Sequence, residues 1–157
     1  MTDELELNLD EDKSEEIISR KEAEELLGLK KLTRNSKALT GLPNSLTLDE
    51  VPVDMNGKKL KYDPWGLDLE GIQVDKKDGT YWMADEYAPS LVHFSTKGEL
   101  LSRWIPEGQN DRGGTQLLPK FLGERRMNRG FEALALHDSK VFLFLQSPMK
   151  KNGPSLP

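Results

Sequence analysis

Between residues 69 and 146 apolar and polar residues alternate at a period of two over several short stretches, separated by turn-forming residues. Such alternation puts every second side chain on one face of an extended strand. Strands are therefore expected at Glu70–Asp75, Thr80–Glu86, Leu91–Thr96 and Glu99–Ile105. Lys76-Lys77-Asp78-Gly79 reads as the first hairpin turn and Lys97-Gly98 as a later one. Four sequential strands joined by tight turns make a meander, the unit of a propeller blade. A second strand pair is expected at Gly130–His137 and Lys140–Gln146. Between the two lies a long connection, Pro106 to Asn128, with Gly108, Gly113, Gly114 and Pro119 and a helical turn expected around Leu117–Arg125. Connections of that length are functional or disordered more often than short ones.

Upstream the alternation is lost. From Gly41 to Gly66, Pro43, Pro52, Pro64 and the Asn56-Gly57 turn predict a loop-rich lead-in with one short hairpin. Residues Met1 to Glu25 are dominated by Asp and Glu, with only Lys13, Arg20 and Lys21 opposing them, a pattern usual for solvated or disordered segments. One helix signal lies here: a Ser19–Glu22 capping box, Ala23, Leu26 and Leu27 on one face, and Gly28 as a stop. Ile18 to Gly28 faintly resembles the first helix of a small helix-turn-helix domain, but no recognition helix follows. The expected organisation is an acidic, partly helical or disordered segment at 1–40 and an all-β domain at 41–157, a partial β-propeller of antiparallel four-stranded blades. One blade would be complete at 69–105 and another begun at 129–148.

Charge and composition narrow the partners. A chain of 157 residues fits one ordinary domain. Its net charge of −5 repels nucleic-acid phosphates and anionic membranes and favours cations. With no cysteine there is no disulfide, no thiolate zinc site and no cysteine nucleophile. No run approaches the ~18 apolar residues of a membrane span. The acidic N-terminus has no apolar core, so no signal peptide is expected and the chain as written would stay in the cytoplasm.

The two strand pairs repeat one pattern. Leu69-Glu70-Gly71-Ile72-Gln73-Val74 aligns with Phe131-Glu132-Ala133-Leu134-Ala135-Leu136, with Glu70 and Glu132 spaced 62 residues apart. Blades repeat at ~40–50 residues, and the long connection accounts for the excess. In an antiparallel pair the start of one strand lies beside the end of the next. Glu70 should therefore sit near Asp85 and Glu86, and Glu132 near Gln146 and Ser147. Adjacent acids point to opposite faces, so only one of Asp85 and Glu86 should reach a shared site. Glu70, Asp85, Glu86 and Glu132 are the candidate metal ligands, and their hard oxygens suit Ca²⁺ or Mg²⁺. Arg125, Arg126 and Arg129 could grip an oxyanion. Arg129, close to Glu132, is with Asn128 the candidate for substrate binding.

The run Asp68-Leu69-Glu70-Gly71-Ile72, then Asp78-Gly79, Trp82 and Asp85-Glu86-Tyr87-Ala88-Pro89-Ser90, resembles the signature of the phytase-like family, known by its esterase-like activity of phytase. Asn128-Arg129-Gly130-Phe131-Glu132-Ala133-Leu134-Ala135 and Gln146-Ser147-Pro148 match its second block, so the resemblance covers about residues 42–148. It implies a β-propeller, usually periplasmic or secreted, that hydrolyses esters or phosphoesters, with a small anionic ester as substrate. The family is normally much longer, with blades before and after this segment, and has Gly where this chain has Ala88. The remaining blades would then be absent from this chain.

Other chemistry is not indicated. His93 alternates with Val92 and Phe94 and reads as structural, and His137 falls in a turn. No Ser-His-Asp set can be assembled by spacing, and Ser90 and Ser147 lack a nucleophile-elbow motif. Trp65, Trp82 and Trp104 read as packing residues. The functions in view are a metal-assisted ester hydrolase, a non-catalytic propeller that binds a ligand over the same funnel, or an inactive fragment.

Overall fold

A computed structural model describes residues 31–44, 49–138 and 140–149, all within a compact unit that starts at Lys31. The helix expected at 19–28 lies outside these residues. The described chain is mostly β. A hairpin, β1 (Thr33–Arg34) and β2 (Lys37–Ala38), precedes a five-stranded sheet of β3 (Leu69–Val74), β4 (Tyr81–Asp85), β5 (Ser90–Phe94), β6 (Leu100–Pro106) and β7 (Thr115–Leu118). A single 3₁₀ turn at Lys120–Glu124 leads to a separate pair, β8 (Phe131–His137) and β9 (Lys140–Leu145).

Strands β3 to β6 form the expected antiparallel meander. Its turns follow from local chemistry. Gly79 takes φ 75° and Gly98 φ 81°, which side chains with a Cβ rarely adopt. The Asp78 carboxylate accepts hydrogen bonds from the Thr80 amide at 2.9 Å and the Thr80 hydroxyl at 2.7 Å, fixing the first turn. The fifth strand is unexpected. β7 runs parallel to β6, with Thr115 opposite Trp104 and Gln116 opposite Ile105. Gly114 at φ 142° redirects the chain into it. Residues 31–40, grouped from sequence with the acidic segment, instead join the β unit. Leu32 and Leu39 pack on its core, the Thr33 hydroxyl bonds Glu99, and the Asn35 amide donates to Glu99 at 2.6 Å.

The alternation separates two cores on opposite faces of the meander. Met83, Val92 and Phe94 face Leu67, with Leu32 and Leu39 beyond them. Ala84 and Leu91, with Trp82 and Trp104, face Phe131 and Leu134 of β8 and Val141, Leu143 and Leu145 of β9. The β8–β9 pair is thus stacked on the second face. The approach is close: a Cβ on Gly71 would lie 2.9 Å from Leu134 Cδ2, and one on Gly130 would lie 2.0 Å from the Glu86 carbonyl oxygen.

The registers of β3–β4 and β8–β9 show the same irregularity. Leu69 pairs with Asp85 and Gly71 with Ala84, leaving Glu70 as an extra residue. Phe131 pairs with Leu145 and Ala133 with Phe144, leaving Glu132 as the extra residue. Both glutamates sit on β-bulges, which re-aim a side chain away from the ladder.

Candidate functional site

Three carboxylates meet where β3 begins and β4 ends. One oxygen from each of Asp68, Glu70 and Glu86 lies within 4.8 Å of the other two. The backbone brings them together: the Glu86 amide donates to the Asp68 carbonyl at 2.8 Å, and the bulge turns Glu70 toward them. Glu132 approaches closely enough for its charge to raise the proton affinity of both Glu70 and Glu86. The set is therefore graded from exposed Glu70 through half-buried Asp68 to Glu86, which is 5% exposed.

That gradient shapes the electrostatics. Burial first, then the charges of Glu132 and Asp68, lift the Glu86 carboxyl to about 7. Burial also raises Asp68, against a hydrogen bond with Glu86, and Glu50 and Asp49 add to the rise. Glu70 moves up through burial and its acidic neighbours Asp68 and Glu132. Glu86 Oε1 is buried without a hydrogen-bond partner among the described residues. A buried carboxylate oxygen with no donor, among three further acids, is stable only if protonated or facing a cation. The donor set is all oxygen, which matches Ca²⁺ or Mg²⁺. Tyr87 borders the site: its hydroxyl donates to Glu50 at 3.3 Å, and burial with the nearby Asp68 and Glu50 charges keeps the phenol protonated.

Asp85, grouped with the ligands on sequence, has a different place. It is fully buried on the other face of β4, where Arg103 Nη2 lies 2.8 Å from Oδ2. Its Oδ1 accepts from the Asp68 amide at 2.8 Å and its Oδ2 from the Ser90 hydroxyl. Arg103 also donates through Nε to Ser90 at 2.8 Å and through Nη1 to the Pro64 carbonyl at 3.2 Å. Burial raises Asp85 to about 6 against the pull of Arg103, leaving it ionised at neutral pH. With both oxygens engaged in hydrogen bonds, Asp85 holds the Asp68 backbone in place and stands outside the Asp68–Glu70–Glu86 group.

The three arginines of the long connection and β8 entry occupy different settings. Arg129 is exposed, and Asn128 is half-buried at φ 49° with Oδ1 lacking a hydrogen-bond partner among the described residues. Arg125 is 1% exposed and pairs with Asp49 at 2.6 Å, tying the long connection to the segment before Glu50. His93 is structural: its ring stacks on Trp82 at 4.0 Å between centroids, and Nε2 lies 2.8 Å from the Thr80 hydroxyl. Sequence reasoning missed Asp68 as a member of the cluster. Its position two residues before Glu70, on the same side of an extended chain, was the available signal.

The chain matches the family described as "Phytase-like: Esterase-like activity of phytase" over residues 7–156. It belongs to the phytase-like family. The match reaches further at both ends than the motifs at 42–148. An uncharacterized secreted protein of Arthroderma benhamiae is 28% identical over 107 residues, covering 55% of this chain and 21% of the relative. This chain thus spans about a fifth of that relative's length. No solved structure matches it. Among the described residues no helix is long and apolar enough to cross a membrane.

Proposed function

We propose that this phytase-like chain carries the cation-binding face of an ester hydrolase, in which Asp68, Glu70 and Glu86 hold a divalent cation, Ca²⁺ by preference, with Glu132 flanking them. The observation that carries this reading is the buried, unpartnered Oε1 of Glu86 within a cluster of like charges. A bound cation would supply Lewis-acid polarisation of a phosphate or carboxylate ester oxygen. A cation bound there would displace the proton that burial and the neighbouring acids otherwise let Glu86 hold up to about 7. Asn128 and exposed Arg129, on the loop entering β8, would receive the anionic part of the substrate. The meander stacked on β8–β9 supports a β-propeller as the larger architecture. The secreted relative supports export.

One observation favours a non-catalytic, ligand-binding role for the same face. Ser90 and His93 are each committed to structural hydrogen bonds, Ser90 with Asp85 and Arg103 and His93 with Thr80, so neither offers a ready nucleophile or base. Calorimetric titration of the whole chain with CaCl₂ tests the cation site. Binding that falls at least about tenfold in Glu70→Gln and in Glu86→Gln is expected. Unchanged binding in the double variant, or no binding by the wild type, would overturn it. Turnover of aryl phosphate and aryl acetate esters by the loaded protein then separates hydrolase from binder.

A further inference from the structure

The chain from Arg125 to Gly130 runs between two fixed points, and both adjoin the carboxylate cluster. At one end Arg125 pairs with Asp49 at 2.6 Å, and Asp49 is near enough to Asp68 for their charges to repel. At the other, Gly130 lies so close to Glu86 that a Cβ there would come within 2.7 Å of the Glu86 Cα. Asn128 stands between these anchors, half-buried at φ 49°. Its Oδ1 is buried and meets no hydrogen-bond donor among the described residues, and the same holds for Glu86 Oε1. A buried acceptor without a donor is costly, and native folds rarely leave one unanswered. The left-handed backbone explains an asparagine at this turn, since Asn and Gly both tolerate it. It does not explain why the carboxamide oxygen is buried with nothing to accept from. Two such oxygens on backbone segments that touch each other share one remedy, a cation between them.

We propose that Asn128 Oδ1 is a further protein ligand of the cation held by Asp68, Glu70 and Glu86, an assignment that rests on the cation site proposed above. Four carboxylates already surround that place, counting Glu132. An amide oxygen adds a coordination position without adding charge. Ca²⁺ takes about six to eight oxygen ligands, amide carbonyls among them, whereas Mg²⁺ keeps several waters, so a ligand of this kind favours Ca²⁺. With Oδ1 on the cation, Nδ2 stays available as a donor to the anionic part of a substrate. Asn128 lies on the loop entering β8, while Asp68, Glu70 and Glu86 lie at the open end of β3–β4. The cation therefore ties the second strand pair to the first.

Calorimetric titration of the whole chain with CaCl₂ tests the assignment with two substitutions. Asn128→Gly keeps the left-handed backbone and removes the oxygen. Asn128→Asp keeps an oxygen in the same place and removes the amide donor. The dissociation constant should rise at least about tenfold with Asn128→Gly. It should stay close to the wild-type value with Asn128→Asp. Circular dichroism and melting in chelator report whether each variant is folded, and if Asn128→Gly is not, Asn128→Asp decides alone. Wild-type affinity in folded Asn128→Gly, or loss of affinity in folded Asn128→Asp, would overturn the assignment. In that case a loss of binding in Glu86→Gln would show that the carboxylate site stands without Asn128. No binding by the wild type would overturn the site and this ligand together.

Discussion

The β3–β4 and β8–β9 pairs share a register, a bulged glutamate and an alternating pattern, yet one has become part of a five-stranded sheet and the other stands as a ribbon of two. Their polar residues diverged with their surroundings. Where β4 ends in Asp85, buried against Arg103, the corresponding residue of β9 is Leu145, packed in the shared core. Where Asp68 and Glu86 share a backbone hydrogen bond at 2.8 Å, Gly130 and Gln146 make the equivalent bond at 3.0 Å. The backbone plan was kept in both pairs, while the carboxylates were concentrated in one. One strand pattern thus serves two settings: the first pair carries Asp68, Glu70 and Glu86, while the second supplies packing and Glu132.

The buried ion pair should give the largest effect. Asp85→Asn leaves the Arg103 guanidinium in the core without its countercharge and should cost about 4 kcal/mol. Urea denaturation reads this directly, and a loss below about 1 kcal/mol would mean that the pair is solvated. Second comes the contrast between corresponding residues. Leu134→Ala, packed against Gly71 and Ala84, should cost about 3 kcal/mol. Ile72→Ala, at the exposed corresponding position, should cost well under about 1 kcal/mol. Equal costs would show that the two positions are equally covered in solution.

The smallest effect is a pH dependence. Glu86 has a folded-state proton affinity raised from 4.5 to about 7, so between those values the folded chain holds a proton that the unfolded chain has released. Stability in chelator should therefore decline as pH rises from about 4.5 to about 7 and then level off. Melting curves of the wild type and Glu86→Gln should diverge in favour of the variant across that window. Added Ca²⁺ should reverse the order above pH ~7 by favouring the ionised carboxylates. Parallel curves would mean that Glu86 is hydrated.

Local information made the meander legible. Period-two alternation and Asp-Gly or Lys-Gly turns act within a few residues, and strand limits came within a residue or two of those observed. Antiparallel adjacency also led to the meeting of Glu70 and Glu86, and the alternation rule implied that Asp85 and Glu86 would part. What it could not supply was the partner across the fold. Arg103 claims Asp85 from 18 residues away, and Arg125 claims Asp49 from 76 residues away. β7 was hidden for a related reason: its four residues are largely exposed, so no buried periodicity marks them, and its pairing with β6 is parallel. β1 and β2, two residues each, are held by Glu99 and by core contacts rather than by any pattern of their own.

The bulges have an implication for how such a face can change over generations. A residue inserted between ladder positions takes no part in cross-strand pairing, so exchanging its side chain alters neither the register nor the apolar alternation that fixes the stack. Glu70 and Glu132 occupy such positions, and at the open end of each pair Asp68 and Glu86 of the first correspond to Gly130 and Gln146 of the second, with the same backbone bond. Ligand preference can therefore drift in this scaffold one side chain at a time, insulated from the demands of folding.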